Sequence, residues 1–260
     1  MPETQPVAII TGGGTGVGQA TALRLGKKGW AVVVNYSRSA EDAEETVAEV
    51  KQSGGKAIAI RASVAEDAEC VAMVEQTMAA FGRIDVLVNC AGTTEFIAFQ
   101  NLDDVTDDVW QRLYQVNVVG AFHCARAVRK PMLASGGGQI INVSSVAAIL
   151  AQGSSIPYCC TKSALDNLTV SLARTLAPEI RVNAVAPGFI AGRWTQNGLG
   201  ERYDSIKTAY ENTLPLKTVC TPDDIAAGIV SLVEGSRVMT GQTLTIDAGM
   251  TIAGYQVKYD

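Results

Sequence analysis

Short apolar runs alternate with longer amphipathic stretches along the chain. Val7–Thr11 and Ala31–Asn35 are apolar, largely β-branched runs, which is typical of strands buried on both faces. In Glu66–Phe81, by contrast, Val71 and Val74 share one face at helical spacing. The predicted strands are Val7–Thr11, Ala31–Asn35, Ala57–Arg61, Ile84–Asn89, Gln139–Ser144, Arg181–Ala186 and Thr243–Asp247.

Helical spacing, ended in most cases by glycine, fills the stretches between these strands. The predicted helices are Gly16–Lys28, Ala40–Ser53, Glu66–Phe81, a long region from about Asp104 to Ala134, Tyr158–Ala177 and Pro222–Glu234. Gly188–Pro215 shows no clear periodicity and holds Trp194, Tyr203 and Tyr210. We therefore predict a long loop there, of the kind that often covers a binding site.

Repeated strand–helix units with continuous apolar strands predict the α/β class. The expected fold is a single-domain, Rossmann-type, doubly wound parallel sheet of about seven strands with helices on both faces. Because no Pro- or Ser-rich linker and no repeat interrupts the pattern, we expect one domain over residues 1–260, with residues 188–215 as its substrate loop. Ligands of such sheets bind at the carboxyl ends of the strands.

Composition and charge argue against several classes of function. Lys plus Arg number 21 and Asp plus Glu 26, and the resulting net charge of −5 argues against a nucleic-acid partner. The single histidine, His123, excludes sites that need two histidines and leaves one candidate base for a Ser-His-Asp triad. We expect it to be a packing or interface residue.

Cysteine spacing and the N-terminus bear on the compartment. The six cysteines show no C-x-x-C spacing, so we expect reduced thiols in the cytoplasm rather than a metal site. Met1–Pro6 has no basic segment leading into an apolar core, and no apolar stretch reaches about 20 residues, so neither a signal peptide nor a membrane span is expected.

A glycine-rich turn joins the first predicted strand to the first helix. It has the pattern T-G-x-x-x-G-x-G, starting at Thr11. Glycines permit positive φ and the close approach of a pyrophosphate, and a helix N-terminus offers free N–H groups. A dinucleotide site is predicted at Gly12, Gly14, Thr15, Gly16, Val17 and Gly18, although a tight turn without a ligand could carry the same glycines.

The residues after the second predicted strand bear on the choice of cofactor. An NAD site usually places Asp or Glu there for the ribose 2′-hydroxyl, whereas this chain has no acid before Glu41. Arg38 instead offers a cation for a 2′-phosphate, unless it is only a solvated loop residue. The expected cofactor is NADP(H), and the residues assigned to this contact are Tyr36, Ser37, Arg38 and Ser39.

Tyr158 and Lys162 have the i, i+4 spacing that places two side chains on one helix face. A free tyrosine has a pKa of about 10, and a neighbouring ammonium would lower it by favouring the phenolate. Ser145 lies thirteen residues before Tyr158, at the end of a predicted strand, where its hydroxyl could donate to a carbonyl oxygen. The three residues together predict a site that protonates a carbonyl oxygen, although each motif alone is weak.

The order of these motifs resembles the short-chain dehydrogenase/reductase family from Val7 to about Gly249. The resemblance is strongest to 3-oxoacyl-carrier-protein reductases and general ketone reductases. It implies that Tyr158 is the general acid and that Lys162 holds the ribose and lowers the tyrosine pKa. It also implies that Ser145 orients the carbonyl and that Asn117 supports a water chain. The further cofactor contacts that it implies are Ser63, Asn89, Ala91, Gly92, Pro187, Gly188 and Ile190.

Four positions depart from the family pattern. Ala62 stands after the third strand, where the family commonly has an Asp near the adenine. Thr15 stands where many NADP-binding members carry a basic residue, which places more weight on Arg38. Cys90 replaces the usual second Asn of the motif after the fourth strand. Gly192 stands where the family often has Thr, which affects the anchoring of the loop.

The sequence therefore predicts an NADPH-dependent oxidoreductase that reduces a ketone or 3-oxoacyl carbonyl, reversibly, to a secondary alcohol. By the resemblance, it is expected to be a homotetramer that binds a small-molecule carbonyl or alcohol. A dedicated 3-oxoacyl-carrier-protein reductase and a non-catalytic NADP-binding regulatory protein remain alternatives. Sugar-nucleotide epimerases and dehydratases have a separate substrate domain, for which 260 residues leave no room.

Overall fold

The computed structural model describes residues 5–253. Residues 1–4, most of the segment considered above for a signal peptide, lie outside the described residues. Within residues 5–253, no helix has the length and apolar character needed to cross a membrane. The same residues contain no group of His, Cys, Asp and Glu side chains that could hold a metal ion.

Seven parallel strands form one sheet, as the apolar runs predict. The strands are β1 Val7–Thr11, β2 Ala31–Tyr36, β3 Lys56–Arg61, β4 Val86–Asn89, β5 Gly138–Val143, β6 Ile180–Pro187 and β7 Thr243–Ile246. Their order is β3-β2-β1-β4-β5-β6-β7. Because β1 pairs with β2 on one side and β4 on the other, the connections reverse direction there and open a crevice at the carboxyl ends of β1 and β4.

Helices cover both faces of the sheet, which confirms the predicted fold class. The helices of the described residues are α1 Gly16–Lys27, α2 Ala40–Gln52, α3 Asp67–Phe81, α4 Asp107–Tyr114, α5 Gly120–Ala134, α6 Ala147–Leu150, α7 Ile156–Leu176, α8 Arg193–Leu199, α9 Tyr203–Thr213 and α10 Pro222–Glu234. One apolar core lies between the sheet and α1, α2 and α10, and another between the sheet and α3, α5 and α7. Successive β1 residues serve opposite cores, Ile10 the first and Ile9 the second.

The predicted long helical region from about Asp104 to Ala134 is confirmed from Asp107 onward, but it contains a π-helical segment. A 3₁₀ turn at Leu102–Asp104 precedes α4, and a π-helical segment, Gln115–Val119, separates α4 from α5. Thr106 has an extended backbone, with φ −80° and ψ 162°, so the helix begins after it. Helical spacing alone does not reveal a π segment of five residues, because it lies inside an otherwise uninterrupted helix.

The predicted loop at 188–215 is also wrong, because α8 and α9 lie within it. Glycines at 192, 198 and 200 break the apolar spacing into pieces that are too short to recognise as one helix. The face of α9 is nonetheless marked by Tyr203, Ile206 and Tyr210, at i, i+3 and i+7. The rings of Tyr203 and Tyr210 pack on the Phe189 ring, with centroid distances of 6.2 Å and 5.0 Å.

Candidate active site

Four connections meet at the carboxyl edge of the sheet, after β1, β4, β5 and β6. They carry the glycine turn, Asn89–Gly92, Ser144–Ser145 and Gly188–Gly192. These four strands are consecutive neighbours in the sheet. Motifs that are far apart in the sequence therefore line one crevice at the point where the strand order reverses.

Glycines shape the turn after β1. Gly12 and Gly16 have φ values of 63° and 55°, which glycine adopts without strain. A Cβ on Gly18 would overlap the Gly12 carbonyl oxygen, and a Cβ on Gly12 would lie 3.0 Å from the Ala91 Cα. Gly14 is equally confined, because its Cβ would lie 2.9 Å from the Ala43 nitrogen. The bare backbone forms a cradle that fits a pyrophosphate group.

The N-terminus of α1 opens onto this cradle. Its N-cap, Thr15, has an extended backbone, and within residues 5–253 its side chain caps none of the first-turn N–H groups. Gly16 and Val17 supply free donors at the positive end of the helix dipole, whereas the Gly18 N–H faces the Cys90 side chain. The turn is thus suited to hold an anion.

Thr11 fastens the turn to the neighbouring strand, a role that sequence reasoning missed. Its hydroxyl accepts hydrogen bonds from the backbone N–H groups of Cys90 and Ala91, each at 3.0 Å, and donates to the Val88 carbonyl at 3.4 Å. Because Thr11 ends β1, this one hydroxyl fixes the spacing between the glycine turn and the chain that follows β4.

Asn35 is a second residue whose role the sequence reasoning missed, since it was considered there only as the absence of an acid. Its side-chain amide donates to the carbonyls of Ala62 and Ile60, at 2.9 and 3.2 Å. Its backbone carbonyl accepts from Gly13 N–H at 2.9 Å, and its Oδ1 accepts from Gly12 N–H at 3.4 Å. The signal in the sequence for this role of Asn35 is an amide side chain near the end of an otherwise apolar strand.

The rim after β2 holds the residues assigned to the adenosine end. Tyr36 is half-buried, whereas Ser37, Arg38 and Ser39 are exposed. Within the described residues the Arg38 guanidinium makes no ion pair or hydrogen bond, so it is available to a ligand. Ser63, beyond the end of β3, is half-buried, and its N–H donates to Glu69 at 2.7 Å.

Tyr158 and Lys162 lie one turn apart near the start of α7. Pro157 in the first turn and the Ser155 N-cap, whose hydroxyl accepts from the Tyr158 N–H at 3.4 Å, fix where this helix begins. Lys162 is 5% exposed, and its Nζ donates to the Val143 carbonyl at 2.8 Å. The same Nζ lies 5.6 Å from the centroid of the Tyr158 ring.

Burial shifts both of these side chains away from their charged forms. It raises the pKa of Tyr158 to about 12, against which a hydrogen bond with Ser145 lowers it. Burial lowers the pKa of Lys162 to about 8, while the negative charges of the Cys90 thiolate and Asp166 carboxylate would raise it. Perturbed titratable groups that face one another in a crevice mark a candidate site of proton transfer.

Ser145 lies two residues beyond β5 and meets the Tyr158 hydroxyl from the opposite side of the crevice. Its side chain lowers the pKa of Tyr158, and its Oγ accepts the Ala147 N–H at 3.1 Å. The bond from Ala147 orients the serine hydroxyl. Two hydroxyl groups therefore converge from separate elements on one point, where a carbonyl oxygen can be bound.

Asn117 occupies the middle of the π-helical segment and is buried. Its side-chain amide accepts from Thr93 N–H at 2.8 Å and donates to the Thr93 carbonyl at 2.9 Å. It also donates to Thr161 Oγ1 at 3.1 Å, and that hydroxyl donates to the Tyr158 carbonyl at 2.8 Å. The side chain therefore joins the segment after β4 to the tyrosine-bearing turn of α7.

Asn89 and Gly92, at and just after the end of β4, have different roles: Asn89 supports the crevice and Gly92 lines it. The Asn89 side chain lies beneath the crevice, where it donates to Asn142 Oδ1 at 2.9 Å and to the Ala121 carbonyl at 3.3 Å. Gly92 lies in the crevice itself. A Cβ on it would be 3.5 Å from Asn117 Oδ1 and 3.8 Å from Lys162 Nζ.

The segment after β6 runs alongside the crevice. Gly188 packs so closely on the chain after β7 that a Cβ on it would lie 2.8 Å from the Asp247 Cα. Pro187 ends β6, and Ile190 forms an isolated parallel bridge with Cys220. These contacts direct the chain into α8.

Helix α8 spans the crevice from the lysine to the rim. Trp194 Cη2 would lie 3.7 Å from a Cβ on Gly92, next to the Lys162 end. Arg193 forms two hydrogen bonds with the Asp42 carboxylate in α2, at 3.0 and 3.1 Å. Sequence reasoning noted Trp194 as part of a loop and did not identify Arg193.

Residues 6–201 match the sequence profile of the family described as short chain dehydrogenase. The chain belongs to the short-chain dehydrogenase/reductase family. It is 40% identical over 248 residues to a protein named as ketoacyl reductase 2 of the granaticin polyketide synthase from Streptomyces violaceoruber, covering 95% of this chain and 96% of the relative. It is 38% identical over 254 residues to the 3-oxoacyl-[acyl-carrier-protein] reductase of Synechocystis, covering 96% and 98%.

A solved structure of the same fold is that of NAD⁺-bound xylitol dehydrogenase. It aligns with a TM-score of 0.86 and 29% identity, covering 95% of this chain and 100% of that one. The short-chain dehydrogenase/reductase family thus includes a member with bound NAD⁺, so membership establishes an oxidoreductase with a nicotinamide cofactor but not the choice between NAD and NADP.

Two further residues considered in the sequence of this short-chain dehydrogenase/reductase are Gly192 and His123. At Gly192 the family's frequent threonine is absent, and Thr195 bonds the loop instead, donating to the carbonyls of Ile190 at 2.8 Å and Gly192 at 3.0 Å. His123 is half-buried, and its Nδ1 lies 3.1 Å from the Val64 carbonyl. This is the packing position expected from the sequence.

Proposed function

We propose that this short-chain dehydrogenase/reductase reduces a ketone or 3-oxoacyl carbonyl to a secondary alcohol, with NADPH as its cofactor. One observation carries the proposal. The Ser145 side chain lowers the pKa of Tyr158, and the buried Lys162 Nζ lies 5.6 Å from the Tyr158 ring centroid, beside Gly92. A proton donor, a hydrogen-bond donor and a cation at one place are the groups that carbonyl reduction needs.

When bound, the nicotinamide cofactor supplies the hydride that the carbonyl carbon accepts. The cradle at Gly12–Gly18 would hold its pyrophosphate, Lys162 its ribose, and Ser37–Ser39 its 2′-phosphate. Tyr158 transfers its proton to the carbonyl oxygen, and Ser145 donates a hydrogen bond to the same oxygen. This second bond stabilises the negative charge that develops on the oxygen during the reaction.

Lys162 makes the proton of Tyr158 easier to release. The half-buried phenol holds its proton tightly, since burial raises the pKa of Tyr158 to about 12. The Lys162 ammonium is fixed by the Val143 carbonyl at 2.8 Å, so its charge stays beside the tyrosine ring. That charge stabilises the phenolate left after proton transfer.

The rim after β2 favours NADPH over NADH. No carboxylate follows β2 before Glu41, so a ribose 2′-hydroxyl has no acidic partner there. Arg38 is exposed between two serines and can form charge-assisted hydrogen bonds with a phosphate.

Arg38→Ala is expected to weaken the use of NADPH by about 10–150-fold and to leave that of NADH nearly unchanged. A charge-assisted hydrogen bond is worth about 1.5–3 kcal/mol, and each 1.4 kcal/mol corresponds to about tenfold. The measurement is kcat/KM for both cofactors. Tyr36→Asp should shift preference toward NADH by adding an acceptor for the ribose hydroxyls. Equal losses for both cofactors in Arg38→Ala would show that Arg38 is only a solvated loop residue.

The substrate class is tested by a screen of NADPH oxidation against 3-oxoacyl pantetheine thioesters, simple ketones and diketones. We expect turnover with at least one of these classes. Inactivity with all of them, in a protein that binds NADPH, would instead favour a regulatory role.

A dedicated 3-oxoacyl-carrier-protein reductase is the second candidate. It is favoured by the names of two relatives with 40% and 38% identity over nearly the whole chain. Arg129, Lys130 and Arg174 are exposed and could meet an acidic carrier protein. A dedicated enzyme should turn over a 3-oxoacyl group far better on the carrier protein than on free pantetheine, whereas a general reductase should not distinguish them.

The protein is further expected to be a homotetramer. Phe122 and Leu133 of α5 and Val170 of α7 expose apolar surface, each about two-fifths accessible. Light scattering at micromolar concentration should give about four chain masses. The mass of a single chain would contradict this expectation.

A further inference from the structure

A second arginine stands beside the rim after β2, although it comes from a different strand. Arg61 is the last residue of β3, and its in-register partner on β2 is Tyr36. Its Nε donates to the Ser37 carbonyl at 3.4 Å. The register between β2 and β3 therefore places Arg61 next to Ser37–Ser39, although Arg38 lies 23 residues earlier in the chain.

The Arg61 side chain is exposed and has donors to spare. A guanidinium carries five N–H donors, and within residues 5–253 only the Nε–H of Arg61 is hydrogen-bonded. The two terminal NH₂ groups are available to a ligand at the rim. A planar fork of this kind matches the geometry of a phosphate.

The local charges leave room for an anion at this rim. The acids nearest to Arg38 in the chain are Glu41 and Asp42, in the first turn of α2, and those nearest to Arg61 are Glu66, Asp67 and Glu69. Asp42 is already paired with Arg193 through two hydrogen bonds of 3.0 and 3.1 Å, and this pairing lowers the pKa of Asp42. Its charge is thereby largely offset. After β3, Asp67 is likewise paired, with Arg126, and Glu69 accepts the Ser63 N–H at 2.7 Å. Arg38 and Arg61 therefore stand against Glu41, Glu66 and Glu69.

We infer that Arg61 is a specificity-determining residue for the 2′-phosphate of NADP(H), acting together with Arg38. The two guanidinium groups approach the rim from different elements, Arg38 from the connection after β2 and Arg61 from the end of β3. Arg61 thus supplies the second cation that Thr15 lacks. The inference rests on the NADPH preference proposed above.

The test measures dissociation constants for NADPH and NADH by equilibrium titration without any carbonyl substrate. Arg61→Gln removes the charge and the fork and is expected to weaken NADPH binding by about 10-fold or more, and NADH binding not at all. Arg61→Lys keeps the charge without the fork and should give a smaller loss, again for NADPH alone. Arg237→Gln is the matched control, since Arg237 is exposed next to the opposite edge strand, β7, and should change neither constant.

Two results would overturn the inference, and they are distinguishable. If the wild type prefers NADPH but Arg61→Gln weakens both cofactors equally, or neither, Arg61 only supports the Ser37 carbonyl or is solvated, while the proposed function stands. If the wild type binds NADH as tightly as NADPH, the proposed cofactor preference fails as well. Should Arg61→Gln not fold, Arg61→Lys decides between these outcomes by the same comparison.

Discussion

Tyr158→Phe is expected to lower kcat by about 10²–10⁴-fold, the usual contribution of a general acid. The substitution removes one hydroxyl and keeps the ring, so the packing of α7 should persist. Ser145 keeps the bond from Ala147 N–H that orients it. Cofactor binding should be largely intact, because the glycine turn and Lys162 are untouched.

Steady-state kinetics, with cofactor affinity measured in parallel, check this result. Tyr114→Phe serves as the matched control, because that tyrosine is 47% exposed on α4 and lies outside the crevice. Retention of more than about a tenth of the wild-type kcat in Tyr158→Phe would remove Tyr158 from the role of general acid.

Lys162→Met is expected to reduce turnover by at least about 10²-fold. The methionine side chain approximates the lysine stem but lacks the ammonium that favours the Tyr158 phenolate. It also leaves the Val143 carbonyl without the donor that Lys162 supplies at 2.8 Å. Lys51→Met, an exposed change on α2, is the control and should leave kcat unchanged.

Lys162→Met should also change how the melting temperature depends on pH. The folded pKa of Lys162 is about 8, depressed by burial from 10.5, so the unfolded chain binds more protons between these values. The contribution of Lys162 to the free energy of unfolding therefore rises as the pH increases from about 8 to 10.5. It is lost again as the pH falls back to about 8. The Tm of Lys162→Met relative to wild type should accordingly be highest below pH 8 and should decline toward pH 10.5. A Tm difference that does not change with pH would show that Lys162 is not buried in its charged form.

The sheet could be predicted from the sequence because its strands are continuous apolar runs. Val7–Thr11 is fully buried along its length, as a central parallel strand must be. The site residues were predictable for a related reason. Tyr158 and Lys162 are neighbours through local helix geometry, and the glycine turn follows directly from β1.

The contacts that complete the site depend on pairs of residues distant in the sequence. Asn35 reaches Ala62, 27 residues away, and this contact exists only once β2 and β3 pair in register. Arg193 reaches Asp42, 151 residues away, across the crevice. Neither partner is indicated by local spacing, so the sequence could show the candidate residues but not what holds them in place.

The secondary structure over the crevice was missed for a different reason. Helix α8 has only seven residues and begins after Gly192, so it offers too few positions for a periodic pattern. Its stability in this place comes from contacts outside the helix, such as the Arg193–Asp42 pair. Tertiary contacts of this kind override weak local preference.

The most direct measurement is product analysis with wild type, NADPH and a carbonyl that the screen identifies as reducible. We expect one secondary alcohol formed per NADPH oxidised, much faster with NADPH than with NADH, and nearly abolished in Tyr158→Phe. Oxidation of NADPH without alcohol, or equal alcohol formation by wild type and Tyr158→Phe, would contradict carbonyl reduction with Tyr158 as the proton donor.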